Sequence, residues 1–89
     1  MEAVGDGTVT VRYWAAARAA AGVAEEALPA GSLAAVLAEA TRRHGDDLAR
    51  VLGVCSFLID ADPVGVRDHA TVAVHPGAVL EALPPFAGG

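Results

Sequence analysis

The hydrophobic periodicity of this chain changes twice along its length, and that change limits the folds open to it. From Thr8 to Trp14 the residues alternate, with Val9, Val11 and Tyr13 on one side and Thr10, Arg12 and Trp14 on the other. This is the period of a half-buried strand. Between Ser32 and His44 the spacing lengthens: Leu33, Val36, Leu37 and Ala40 fall at i, i+3, i+4 and i+7, one apolar stripe of a helix. Ser32 suits the N-cap and Gly45 the position after the last turn. Arg42, Arg43 and His44 put positive charge where the helix dipole favours it, so the two arginines read as a solvated helix end. Val79 to Leu83 returns to a strand.

The intervening segments fit the same frame. Ala15 to Ala21 reads as a short helix closed by Gly22. Ala27-Leu28, preceded by Glu25 and Glu26 and stopped by Pro29, reads as a second strand, and Pro29-Ala30-Gly31 as a turn. Asp46 to Gly53 supports another helical turn, and Val54 to Ile59 a strongly apolar strand. Asp60-Ala61-Asp62-Pro63 and His75-Pro76-Gly77 are turns. Val64 to His69 stays ambiguous, and Ala70 to Val74 is a short apolar stretch. The order predicts one α+β domain over residues 8–83, after a leader (1–7) and before a tail (84–89). With the last strand beside the first and the main helix across one face of a mixed sheet, the layout is a β-grasp. Periodicity alone also admits a ferredoxin-like arrangement.

The chain has 89 residues, room for one domain and little room for a deep pocket. Hydrophobic residues make up 54%, but only 4% are aromatic and 21 positions are Ala, so much of the apolar content is single methyl groups. Six Arg, no Lys and eleven acids give a net charge of −5, which argues against nonspecific nucleic-acid binding and suits docking on basic partner surfaces. Cys55 alone can form no internal disulfide and reads as a small buried hydrophobe. The acidic start is unlike a signal peptide and no run is long enough to span a membrane, so a cytoplasmic location is expected.

Conventional chemistry is sparse. Ser32 and Ser56 lie in no nucleophile turn. His44, His69 and His75 lack ligand spacing, so no metal is expected. Arg67-Asp68-His69 reads as a solvated turn, and Glu25-Glu26 and Asp46-Asp47 as solvated acids. The chain is therefore read as a non-enzyme with no permanently bound cofactor.

The ending Leu83-Pro84-Pro85-Phe86-Ala87-Gly88-Gly89 stands apart. Pro84 and Pro85 hold the backbone extended, and at about 3.3 Å per residue the tail reaches roughly 20 Å. Phe86 is an apolar anchor for a partner, its burial returning about 1.5–3 kcal/mol. Gly88 and Gly89 can thread a channel too narrow for Cβ atoms and present a bare carboxylate to an active site. That carboxylate is ionised at neutral pH and can attack the α-phosphate of ATP, giving an acyl-adenylate open to a sulfur or amine nucleophile.

With these residues in view, the sequence resembles the ubiquitin-like sulfur carriers, and within them the MoaD-like small subunit of molybdopterin synthase. The resemblance rests on Val9-Thr10-Val11-Arg12-Tyr13-Trp14-Ala15-Ala16-Ala17-Arg18, the central helix bounded by Gly45, the strand Cys55-Ser56-Phe57-Leu58-Ile59, and above all the Pro-Pro-x-x-Gly-Gly ending. Gly-Gly alone is shared with ubiquitin and the thiamine-pathway (ThiS-like) carriers. The resemblance implies a ubiquitin-like β-grasp fold and a carrier cycle. Gly89 would be adenylated by an E1-like, MoeB-type activating enzyme using ATP and converted to a thiocarboxylate. The tail would then enter a MoaE-like large subunit and give sulfur to precursor Z. Trp14, Leu58 and Leu83 are the candidates for the apolar sheet surface that partners of this family contact. Pro76-Gly77-Ala78 replaces the family's usual Gly-Asp turn. A thiazole or cysteine pathway, or conjugation to protein amines, are the alternatives.

Overall fold

Strand β1 (Thr8–Tyr13) buries the three residues that its alternation selects: Val9, Val11 and Tyr13. The computed structural model describes residues 7–85. Most of the expected leader and the Phe86–Gly89 segment lie outside the described residues. Trp14 does not extend β1. Its backbone is extended, but it serves as the N-cap of helix α1 (Ala15–Ala21), which the left-handed Gly22 closes by donating its N–H to the Arg18 carbonyl. Strand β2 (Glu25–Pro29) then returns antiparallel to β1.

After Gly31–Ser32 (β3), helix α2 (Leu33–His44) begins where expected, with the Ser32 hydroxyl accepting from the Ala35 N–H at 3.0 Å. Gly45, at φ +95°, joins α2 to helix α3 (Asp46–Leu52), a backbone conformation that a side chain would strain. The apolar run thought to begin at Val54 pairs only from Ser56, in β4 (Ser56–Ile59), because Gly53 and Val54 are spent turning out of α3. Asp60 and Ala61 make a tight turn into β5 (Asp62–Pro63), which pairs back on β4. Asp60 does not bond its own turn as its type suggested; its carboxylate accepts from the Val79 N–H at 2.9 Å. The loop that follows buries Val64, and β6 (Ala73–Val74) pairs with β3 before β7 (Val79–Leu83) ends the domain.

The main sheet has the order β2-β1-β7-β4-β5, with β7 parallel to β1 and antiparallel to β4. The last strand therefore lies beside the first, as the order of elements predicts for a β-grasp. On the covered face, Leu33, Val36 and Ala40 of α2 and Leu48 and Leu52 of α3 share one core with Val9, Val11, Leu28, Phe57 and Leu80. Alanines contribute little burial, so the few large side chains carry this core. Truncating Leu33, Leu48 or Leu80 to Ala would cost about 2–5 kcal/mol each.

Two residues are more engaged than their types suggested. Glu26 is not a solvated acid. Its Oε2 accepts from the Tyr13 hydroxyl and from His44 Nε2, both at 2.6 Å, and ties β1, β2 and the end of α2 together. Burial, and then this hydrogen bond, push the Tyr13 phenol well above its ordinary range. Cys55 is only half-buried: its thiol reaches the Val51 carbonyl at 3.3 Å, and burial raises its pKa to about 11. The arginines closing α2 are likewise paired, since Arg42 and Arg43 both bond Glu39 and Arg43 also reaches the Ala27 carbonyl.

Candidate functional site: the open sheet face and the exit of the last strand

The side chains on the sheet face away from the core are set by strand parity. They are Thr10 and Arg12 of β1, Val79, Glu81 and Leu83 of β7, and Ser56 and Leu58 of β4. Register brings them into a row: Glu81 pairs with Arg12 on one side and Leu58 on the other, and Leu83 pairs with Ser56. Leu58 and Leu83 are thus diagonal neighbours on one face, within reach of each other.

Trp14 completes the row. It continues the parity of Arg12, and its backbone N–H donates to the Ala82 carbonyl at 3.2 Å. Its indole Nε1 donates to Glu81 Oε2 at 3.2 Å, while the ring stays 45% exposed. The structure therefore gathers Trp14, Leu58 and Leu83 around Glu81. Neither Glu81 nor Arg12 is legible as part of this patch from the sequence. Their common parity with Leu83 and Trp14 was a signal, but the β1–β7 register that makes them neighbours is not encoded locally.

Beyond this row, Arg12, Tyr13, Trp14, Arg18, Ala24 and Glu25 line a cavity of about 230 Å³ at the end of the sheet. Arg12 pairs with Glu25 there at 3.2 Å. Ala15, the residue after Trp14, has φ +49°, a conformation that costs a non-glycine residue roughly 1–2 kcal/mol. The chain leaves β7 at the same end of the sheet, where Leu83 and Pro84 are partly buried and Pro85 is exposed. Phe86, Ala87, Gly88 and Gly89 fall outside the described residues.

Other features offer less. Arg67 of the suggestive Arg67-Asp68-His69 run donates to the carbonyls of Val64 and Pro63, Asp68 caps the Ala70 N–H, and His69 packs edge-on against Phe57. These are loop-forming contacts. Among the described residues no three His, Cys, Asp or Glu side chains are grouped to hold a metal ion, and no helix is long and apolar enough to cross a membrane.

Comparison with solved structures places this architecture. Small archaeal modifier protein 1 from Methanosarcina acetivorans superposes with a TM-score of 0.79 over 93% of this chain and 97% of its own, at 23% identity. The Haloferax volcanii small archaeal modifier protein 1 gives 0.77 over 93% and 100%, at 19% identity. Subunit 1 of the molybdopterin-converting factor from Helicobacter pylori, solved in complex with subunit 2, gives 0.62 over 92% and 99%, at 25% identity. No protein-family model matches the chain, and no curated protein matches it by sequence. The fold is the ubiquitin-like β-grasp. Its structural neighbours are small archaeal modifier proteins and a molybdopterin-converting-factor subunit.

Proposed function

We propose that this protein is a sulfur carrier, the small subunit of a molybdopterin synthase, and that Gly89 is the residue that carries the sulfur. The observation that supports this most is the placement of β7. Paired with β1 at the centre of the sheet, it ends at Leu83, so that Pro84 and Pro85 leave the sheet at the end where Trp14 lies, beside the apolar row of Trp14, Leu58 and Leu83. A partner seated on that row would receive the tail directly.

In this reading the Gly89 carboxylate attacks the α-phosphate of ATP on an E1-like activating enzyme, and pyrophosphate leaves. A sulfur nucleophile then displaces AMP from the acyl carbon, leaving a thiocarboxylate. The loaded tail enters a MoaE-like large subunit, and the sulfur passes to precursor Z. This chain supplies no reacting side chain: the sheet docks, Pro84 and Pro85 hold the tail extended, Phe86 anchors it, and Ala87 and Gly88 allow close passage. ATP belongs to the activating enzyme, and the cycle runs in the cytoplasm.

The likeness to small archaeal modifier protein 1 favours a second reading, in which the same activated Gly89 is attacked by a protein amine. Since the chain has no Lys, its own side chains would not receive such a linkage. Genetic rescue separates the routes. The carrier reading predicts growth of a molybdopterin-deficient strain and none of a thiamine auxotroph. Rescue of the auxotroph alone would move the carrier to a ThiS-like pathway, and recovery of covalent protein adducts without rescue would favour the modifier.

A further inference from the structure

We infer that Arg18 receives a carboxylate from the protein that docks on the open sheet face, so that this corner fixes the orientation of the complex. The inference rests on the proposed reading of that face as the partner surface and adds the chemistry of one contact.

Five of the six arginines are engaged within the chain. Arg12 pairs with Glu25, Arg42 and Arg43 with Glu39, Arg50 with Asp47, and Arg67 with backbone carbonyls. Arg18 alone has a guanidinium with no hydrogen-bond or ion-pair partner among the described residues, although the chain carries eleven acids. It sits one helical turn after Trp14 and lines the 230 Å³ cavity with it. The one acid in that lining, Glu25, is occupied by Arg12. The cavity is continuous with the row of Trp14, Glu81, Leu58 and Leu83 through the shared indole.

The consequence is a local reversal of sign. At a distance, a chain of net charge −5 attracts a basic surface. At Arg18 the same partner must present an acid, because a lysine or arginine there would meet an unneutralised guanidinium. A reversal of this kind suppresses wrong orientations. The guanidinium fork suits a carboxylate geometrically, and the half-exposed indole beside it would exclude water from the contact once docked.

The test is titration of the intact protein with the purified molybdopterin synthase large subunit that serves it, comparing wild type, Arg18→Gln and Arg50→Gln. The two variants remove the same charge from exposed helical positions, and Arg50 lies on α3, away from the open face. The inference predicts about tenfold or greater weakening for Arg18→Gln, chiefly in dissociation, and less than about twofold for Arg50→Gln. Arg18→Lys should recover part of the loss. Unchanged binding by Arg18→Gln, or equal loss in both variants, overturns the carboxylate contact while leaving the docking face in place. Failure of the wild type itself to bind overturns the reading of the face and this inference with it.

Discussion

The indole nitrogen of Trp14 donates to the carboxylate of Glu81 across 67 residues of sequence, fastening the start of α1 to the last strand. The contact holds a large ring in a half-exposed position that hydrophobicity alone would not select. It also sets the ring beside the strand from which the tail departs.

Trp14→Ala should therefore separate docking from folding. Because the ring is partly exposed and its hydrogen bond is solvent-accessible, the loss of stability should be modest, about 1 kcal/mol in urea titration. Binding to a large-subunit partner should fall by tenfold or more, as for an aromatic anchor. Unchanged binding with a similar stability loss would make Trp14 a structural residue.

Glu26 should matter far more than a surface acid. Glu26→Ala leaves the Tyr13 hydroxyl and the His44 imidazole without their shared acceptor, and should cost about 2–3 kcal/mol. Glu25→Ala, which removes only an exposed pair with Arg12, should cost less than about 1 kcal/mol. Denaturant midpoints of the two variants decide this.

The contrast between these neighbouring acids shows where sequence legibility stops. Val9, Val11 and Tyr13 declare their side of β1 by alternation, and Ser32 and Gly45 mark the ends of α2, because strand parity and helix caps are local rules. Those rules also carry the β-grasp order. Whether Glu26 is solvated depends on α2 returning His44 to the same spot, 18 residues on, which no local pattern encodes. Arg12 and Glu81 are hidden for the same reason: they meet through the parallel β1–β7 register. The reading of Pro84, Pro85 and Gly88-Gly89 as a tail rests on the chemistry of the chain itself.

The β4–β5 turn carries a removable strain. Asp60 and Ala61 have φ of +49° and +72°, yet neither is glycine. Ala61→Gly should stabilise the protein by about 0.5 kcal/mol, the relief of the left-handed alanine exceeding the entropy that glycine adds to the unfolded chain. A lowered melting temperature would contradict this account of the turn.

Acid should weaken the end of α2. Hydrogen bonds from Arg42 and then Arg43 hold the Glu39 carboxyl down at about 2, below its ordinary 4.5. A depressed carboxylate contributes stability that is present above its unfolded pKa and lost as pH falls through the folded value. The stability gap between wild type and Glu39→Gln should therefore be constant from neutral pH to about 5 and shrink between 4.5 and 2. A gap unchanged down to pH 2 would remove Glu39 from the account.

The central claim is that Gly89 carries sulfur, and intact mass measures it most directly. After incubation with a cognate activating enzyme, ATP and a sulfur donor, the protein should gain the mass that replaces one oxygen by sulfur, located at Gly89 by fragmentation. A chain lacking Gly89 should gain nothing. An unchanged mass, under conditions that load an authentic carrier, would contradict the account.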